Sequence, residues 1–402
     1  MTTQAAMTAS TLRPSGTVEE RRKLLRLEQT REFTASLFGE DEHALRVLSL
    51  ANGVAGVLEA ATVSIHAIGQ AYARLAKITP KSGTKQVDRL LSNSGVEVES
   101  LLPSWIEFVL SSRNEAVIAL DWTEFDDDDH ATLCAYLVTT HGRATPLAWK
   151  TVRKSELKGK RTGIEQRLLE RIHEWVPERV AITLLADRGF GDQALYTLLE
   201  AWGWDFVIRF RGCIKVTART GECRAAEEWL PPTGRATMLR DVRVTSDENP
   251  IGAVVVTHDK RMKEPWCLAT SLAKWSARDV VKLYGKRFTI ELTFRDVKDL
   301  HFGMGLRATH IRDADRRDRL LLLVAVAHAL LTLLGAASEA AGLDRFLKVN
   351  TVKRRTHSLF RQGSYWYECI PTMREEWLRD LMVAFDRVVR DHAGLGACFG
   401  LI

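Results

Sequence analysis

The chain has 402 residues, enough for two or three domains with at least one substantial hydrophobic core. Apolar residues make up 46% and charged residues 27% of it, which is typical of a soluble globular protein and argues against a fibrous or largely disordered chain. The net charge of +6 is compatible with a polyanionic partner without proving one. The six cysteines are scattered and form no Cys-x-x-Cys pair. This spacing argues against a zinc site or disulfide framework and indicates a reducing cytosol.

The first 18 residues are rich in Thr, Ser and Ala, lack the apolar segment of a signal peptide, and are expected to form a disordered tail. Residues 19–112 are predicted to form a small helical domain, with a charged helix ending at Gly39 and a long apolar helical run from 42 to 77. Lys81, Lys85 and Arg89 give this domain a basic edge and are candidates for phosphate contacts; a solvated basic loop is the alternative. No helix-turn-helix pattern is clear.

The pattern changes to β-strand in the segment 113–210. Three apolar, β-branched runs are followed by a helix, a strand that runs into Asp187, a second helix and a further strand. This order predicts a mixed sheet with helices packed on it. Short strands and turns over 211–272 predict a β-rich insertion.

Helices dominate the rest of the chain. A strong helix with Ser276 as its N-cap begins the segment 273–312, and 313–402 is expected to form a helical C-terminal region. The apolar stretch 320–337 approaches the length of a membrane span. Because it carries His328 and follows a highly charged segment, we expect a buried helix.

Two acidic residues stand where apolar strands are predicted to end. Asp121 closes one such run and Asp187 closes another, ahead of a Gly-x-Gly turn. A single aspartate of this kind is most often a turn or helix cap, but a sheet could bring two together as hard oxygen ligands for Mg²⁺. The nearby run Asp126 through Asp129 is expected to form a solvated turn, and Glu124 is undecided between the site and the surface.

The helix after the insertion supplies a third acid. At about 100° per residue, Tyr284, Arg287, Glu291 and Lys298 fall within about 60° of one another around the helix axis. One interpretation is a mixed face lining a cleft for a phosphate backbone. The alternative is a solvated face on which Arg287 and Glu291 form an ordinary ion pair.

The spacing Tyr284-x₂-Arg287-x₃-Glu291-x₆-Lys298 resembles the Tyr-Arg-Glu-Lys signature of bacterial insertion-sequence DDE transposases, the insertion-sequence-four family. Asp121-x-Thr123 and the segment "ADRGF" around Asp187 resemble the family's first two catalytic motifs, and the β-rich insertion lies where the family has one. The resemblance covers roughly residues 113–300.

The resemblance implies an RNase H-like α/β catalytic core formed by 113–210 and 273–312 and interrupted by the insertion at 211–272. In this core Asp121, Asp187 and Glu291 would hold two Mg²⁺ ions, with Mn²⁺ as a substitute. The reaction would be nicking at the transposon ends and attack of the freed 3′-hydroxyl on target DNA, with a terminal hairpin as a possible intermediate. Tyr284, Arg287 and Lys298 would bind phosphates.

Trp266 would stack on a base flipped from the end, the alternative being a tryptophan packed in the insertion's own core. The residues His130, His141 and His301 are not expected to be catalytic, since magnesium chemistry does not need them.

The partner implied is double-stranded DNA, both transposon ends and target, held by a homodimer, in the bacterial cytoplasm at the nucleoid and with no membrane. Two alternatives stay open: an inactive relative that binds DNA ends without cutting them, and a nuclease of the same fold that does not join ends.

Overall fold

The computed structural model of the chain describes residues 18–111, 113–260, 262–291, 293, 305 and 309–390, without the side chains of 18–21 and 23–25. Lys298 and His301 lie outside these residues, as does most of the predicted N-terminal tail. The elements below are those of the described segments.

Five helices form the N-terminal region. They are α1 (Val18–Phe38), α2 (Ala44–Ala60), α3 (Ile65–Ala76), α4 (Pro80–Ser92) and α5 (Val98–Leu110). The predicted single run from 42 to 77 is wrong, because Ala61 adopts a left-handed conformation that ends α2, and α3 leaves it at 100°. The predicted loop alternative for Lys81, Lys85 and Arg89 is also wrong, since all three lie on α4.

Helices α3 and α4 touch through two glycines. A Cβ on Gly83 would lie 2.2 Å from the carbonyl oxygen of Gly69, and a Cβ on Gly69 would lie 2.3 Å from the Cα of Thr84. Only a residue without a side chain permits this approach of the two backbones. The Thr79 hydroxyl caps α4 by accepting from the Ser82 amide, and Pro80 occupies the first turn. The hairpin α3–α4 is therefore a tightly fixed unit.

The central sheet begins with three antiparallel strands followed by two crossovers. They are β1 (Glu115–Phe125), β2 (His130–Leu137), β3 (Thr145–Arg153), α6 (Arg161–Trp175), β4 (Ala181–Ala186), α7 (Gln193–Ala201) and β5 (Asp205–Phe210). Strands β1, β4 and β5 are mutually parallel, whereas β1–β2 and β2–β3 are antiparallel. The predicted order and the mixed α/β sheet are confirmed, and they are consistent with an RNase H-like core.

The β-rich segment continues this same sheet. Its strands are β6 (Lys215–Thr217), β7 (Cys223–Ala225), β8 (Thr237–Val244), β9 (Asn249–Thr257) and β10 (Trp266–Thr270). The order of all ten strands is β3-β2-β1-β4-β5-β10-β9-β8-β6-β7, so β10 joins the segment to the edge of β5. The division into separate domains stays a prediction, because one sheet runs through both parts.

After the sheet come α8 (Ala277–Gly285), a 3-10 turn (Lys286–Phe288), α9 (Ala314–Ala340), α10 (Leu359–Cys369) and α11 (Glu375–Arg390). Ser276 is the N-cap of α8, as predicted. Among the described helices, α9 alone is by itself long and apolar enough to cross a membrane, and 89% of its most apolar segment is buried within the fold. The helices α2 and α3 would reach that length and apolar character only if the bent pair were counted as one broken span. The expected buried helix is thus confirmed, and the N- and C-terminal regions are helical.

The acidic turn after β1 is not uniformly solvated. Asp126 and Asp127 are exposed, but the side chain of Asp128 is only 4% exposed and forms an ion pair with the fully buried Arg317 of α9. His130 accepts from Arg317 Nε at 3.0 Å. The expected solvated turn is therefore wrong for Asp128, because a helix far along the chain docks its arginine on it.

Candidate active site

The first two predicted acids lie side by side on neighbouring strands. The parallel register of β1 and β4 pairs Leu120 with Ala186, so that Asp121 and Asp187 occupy the next position of each chain. Asp187 follows the end of β4, whereas Asp121 lies within β1, which continues to Phe125 as the partner of β2. Two carboxylates from distant parts of the sequence thereby meet where the parallel pairing of β1 and β4 ends.

The chain after β4 turns tightly around the Asp187 carboxylate. The Gly189 amide donates to Asp187 Oδ1 at 2.8 Å, and the Phe190 amide donates to the Asp187 carbonyl at 3.1 Å. A Cβ on Gly189 would lie 3.1 Å from Asp187 Oδ1, closer than most real contacts. Glycine at this position therefore lets the carboxylate sit against the backbone that follows it.

Asp121 is partly buried and paired with an arginine. Its Oδ1 accepts from the Trp122 amide at 2.9 Å, and Arg287 Nη1 donates to its Oδ2 at 3.1 Å. Burial raises the pKa of Asp121, the Arg287 charge opposes this rise, and the nearby Asp187 charge adds to it. The acid pair thus has an excess of negative charge that a cation would stabilise.

The segment after the sheet buries Arg287 and leaves Glu291 exposed. Tyr284 and Arg287 are 1% and 8% exposed, whereas Glu291 is exposed and follows the fully buried Ile290. The predicted shared face stays a prediction: the helix tightens into a 3-10 turn at 286–288, so the angular spacing of a regular α-helix does not hold between Tyr284 and Glu291. The alternative ion pair between Arg287 and Glu291 is wrong in this structure, since Arg287 pairs with Asp121.

An aromatic cluster borders the Asp121–Arg287 pair. The ring of Trp266 meets Tyr284 edge-on at 5.0 Å and stacks on Phe288 at 5.7 Å. Arg287 Cζ lies 5.3 Å from the centre of the Phe288 ring, and the Phe288 side chain remains 39% exposed. Trp266 is half-buried and packs on the helix that carries Arg287, so the alternative of a tryptophan packed only within the insertion does not describe it.

A buried glutamate behind the acid pair was missed from the sequence. Glu165 of α6 is 8% exposed, and its Oε1 accepts from the indole Nε1 of Trp122 at 2.6 Å. Burial raises the pKa of Glu165, the Trp122 hydrogen bond lowers it, and Asp187 is among the charges that raise it. Glu165 therefore fixes the residue next to Asp121 and lies within electrostatic reach of Asp187. The one sequence signal was an acid within an otherwise apolar helical spacing.

Glu124 belongs to the surface. It pairs with Lys154 Nζ at 2.7 Å and lies 3.7 Å from Arg161 Nη2, with its side chain 43% exposed. His130 and His141 are buried, and burial lowers the pKa of both, that of His141 to about 3. Neither lies in the contacts of the acid pair described above.

The basic candidates of the N-terminal region share one surface of α4. Lys81, Lys85 and Arg89 are spaced four residues apart and are all exposed, whereas Val87 and Leu90 face the core. They form a row of three cations along the outer side of the α3–α4 hairpin.

The donor set of the acid pair has the chemistry of a magnesium site but is incomplete. Asp121 and Asp187 supply adjacent carboxylates, the ligands that hard divalent cations select. Among the described residues, no three His, Cys, Asp or Glu side chains converge in an arrangement that could hold a metal ion. The two carboxylates of the pair fit such an ion. Glu291, one turn after Arg287, does not converge with them among the described residues.

Residues 135–330 match the family described as the transposase DDE domain, a range just under half of the chain. It contains Asp187 and Glu291, while Asp121 precedes it and is tied to it by the β1–β4 register. None of the curated proteins searched matches the chain. The domain match supports a DDE transposase and, with it, a nuclease or transposase activity on DNA; such enzymes generally use divalent metals.

Proposed function

We propose that this protein is an insertion-sequence transposase of the Tyr-Arg-Glu-Lys group, in the insertion-sequence-four family. It would bind the terminal inverted repeats, nick the ends and join the 3′-hydroxyls to target DNA, in a cut-and-paste reaction that can pass through a terminal hairpin. The observation that carries the proposal is the pairing of Asp121 and Asp187 across β1 and β4, with Arg287 of the signature helix against Asp121.

Asp121 and Asp187 would hold the metal ions, two Mg²⁺ or Mn²⁺, and Glu291 is assigned as the third ligand by the signature alone, since it does not converge with the pair among the described residues. When bound, the ions supply activation of the attacking oxygen and stabilisation of the leaving oxygen. Burial raises the pKa of Asp121, and a bound cation would favour the charged form of its carboxylate. Glu165 holds Trp122 through its indole and so positions the backbone next to Asp121.

Tyr284 and Arg287 would bind the DNA backbone beside the acids. Arg287 donates to Asp121 through Nη1, and a guanidinium has further N–H groups beyond this one bond. A phosphate beside this arginine would share it with Asp121 and gain a charge-assisted hydrogen bond. Lys298 is assigned to the same role by the signature alone.

Trp266 would receive a base from the DNA end. Its half-buried ring is held from one side by Tyr284 and from another by Phe288, which leaves a fixed aromatic surface next to Arg287. Stacking of about 1–3 kcal/mol per base would offset part of the cost of unpairing the terminal nucleotide.

The N-terminal helices would recognise the terminal repeats. Lys81, Lys85 and Arg89 along the outer side of α4 form a row that can follow a phosphate backbone. The close packing of α3 on α4 through Gly69 and Gly83 keeps that row rigid. Two ends must be joined together, so a homodimer on DNA, in the bacterial cytoplasm at the nucleoid, completes the proposal.

The test is a cleavage and strand-transfer assay with Mg²⁺ on a duplex that carries the inverted repeats flanking the gene. The proposal predicts nicked ends followed by joined products. Binding without nicks would show an inactive end-binding protein, and nicks without joined products would show a nuclease that does not transpose. Arg287→Ala should weaken binding and reduce the salt dependence, by about 0.9 in slope per lost phosphate contact on duplex DNA.

A further inference from the structure

Two arginines beside the acid pair share one carboxylate. Arg188 Nη1 lies 3.2 and 3.1 Å from the two oxygens of Glu264, and Arg209 Nη2 lies 2.8 Å from Glu264 Oε1. Arg209 Nη2 also donates to the Pro265 carbonyl at 3.2 Å. A single carboxylate thus contacts two cations, one from the turn after β4 and one from β5, and the three groups together keep a net charge of +1.

The position of this Arg188–Glu264–Arg209 bridge links the acids to the aromatic cluster. Arg188 directly follows Asp187, Arg209 lies opposite Leu268 in the β5–β10 pairing, and Glu264 stands two residues before Trp266. Arg209 also lies within electrostatic range of Tyr284. The bridge therefore connects the segment that carries Asp187 with the segment that carries Trp266.

The two arginines are equipped to bind an anion from outside. A phosphodiester presents a guanidinium with the same pair of anionic oxygens that a carboxylate does. Arg209 contacts Glu264 through Nη2, and its side chain is 16% exposed, so a phosphate that displaces the carboxylate would bind at this atom. Arg188 and Glu264 are 53% and 49% exposed, so the carboxylate can move into water, and an arriving phosphate would replace it as the anion beside the less exposed Arg209.

We propose that Arg188 and Arg209 form a binding site for a backbone phosphate of the DNA strand next to Trp266, and that Glu264 occupies this site until DNA displaces it. The inference rests on the proposed function. Glu264 is then an internal competitor that disfavours weak, non-specific DNA, and Arg188 and Arg209 are positioning residues. A half-exposed ion pair is weak, so the exchange costs little when a phosphate arrives.

The experiment compares binding of the full-length protein to a short duplex of arbitrary sequence with unpaired terminal nucleotides, without Mg²⁺. Loss of the competitor in Glu264→Gln should tighten binding roughly two- to five-fold, the factor that corresponds to an exposed pair of up to about 1 kcal/mol. The matched control is Glu248→Gln, which removes the same charge from an ion pair with Arg243 of equal exposure, 50% on each side. This control should leave the affinity unchanged.

Arg188→Gln should weaken binding and lower the salt slope by about 0.7–0.9, as expected for one lost phosphate contact. Unchanged or weaker binding in Glu264→Gln would overturn the inference, and so would equal tightening in Glu264→Gln and Glu248→Gln, because that would be a general charge effect. A parallel assay of the wild-type protein with Mg²⁺ on end-containing DNA separates the two hypotheses. Cleavage there together with no effect of Glu264→Gln refutes the exchange alone, whereas absence of cleavage refutes the transposase proposal.

Discussion

Replacing Asp128 by Asn should strongly destabilise the protein, although the residue belongs to a conspicuously acidic surface turn. Its carboxylate is the anion for Arg317, whose side chain is 0% exposed and lies 4.1 Å from the Phe125 ring. The other contacts of the guanidinium are neutral: His130 Nδ1 at 3.0 Å and the Ile311 carbonyl at 3.4 Å. Asp128→Asn would therefore leave the buried charge without its ion-pair partner, with only the longer-range charge of Asp318 to oppose the loss.

Breaking one side of a buried ion pair costs about 3–5 kcal/mol, and burial already lowers the pKa of Arg317 despite Asp128. We expect a loss of that size in the free energy of unfolding, measured by urea denaturation followed by circular dichroism. The control Asp127→Asn changes an exposed neighbour in the same turn and should cost less than about 0.5 kcal/mol.

A double replacement refines this test. Adding Arg317→Met to Asp128→Asn removes the orphaned charge, so the double variant should be more stable than Asp128→Asn alone. If Asp128→Asn and Asp127→Asn unfolded at the same urea concentration, or if Arg317→Met gave no recovery, the buried pair would not be what holds α9 to the turn.

Three further predictions address packing, pH and the proposed chemistry. Gly363→Ala should lower the free energy of unfolding in urea by about 2–3 kcal/mol or more, because its Cβ would lie 1.7 Å from the Leu331 carbonyl oxygen. The control Gly163→Ala, whose Cβ would meet only an arginine atom at 3.8 Å, should not destabilise the protein. Equal urea midpoints for the two variants would argue against the close approach of α9 and α10. Burial raises the pKa of Asp318 to about 7. The folded state therefore keeps a proton that the unfolded state releases near pH 4. Because of this residue, the free energy of unfolding should fall as pH rises from about 4 to about 7. Urea unfolding measured over that pH range should show a smaller fall in the free energy of unfolding for Asp318→Asn than for the wild type. Parallel pH profiles of the two proteins would contradict this prediction. Trp266→Ala should impair hairpin formation or resolution more than first nicking, and equal loss of both steps in a gel assay would argue against base stacking.

The order of strands and helices in the core could be predicted because its signals are local. Each strand from β1 to β5 is a separate apolar run between turns, and Asp121 and Asp187 stand out as acids after such runs. Their juxtaposition follows once the two strands pair in parallel. The break between α2 and α3 was missed because an apolar run continues through Ala61, which ends α2 by a left-handed conformation without glycine.

The partners of the site residues could not be predicted because they depend on tertiary contacts. The 3-10 turn at 286–288 interrupts the regular α-helix before Glu291, and nothing in the spacing Tyr284–Arg287–Glu291 shows that turn. Asp128 looks like its three acidic neighbours until α9 brings Arg317 against it. Glu264 lies in a loop without a pattern, and its two arginines come from separate strand ends.

The central claim is that Asp121 and Asp187 are the catalytic acids of a DNA-cleaving site. The most direct measurement is cleavage and binding of end-containing DNA by Asp121→Asn and Asp187→Asn beside the wild-type protein, with Mg²⁺ present. The account predicts that both variants lose cleavage while retaining most of their DNA affinity, because phosphate binding comes from dispersed arginines and lysines. Cleavage by Asp121→Asn at a rate near that of the wild type would contradict it.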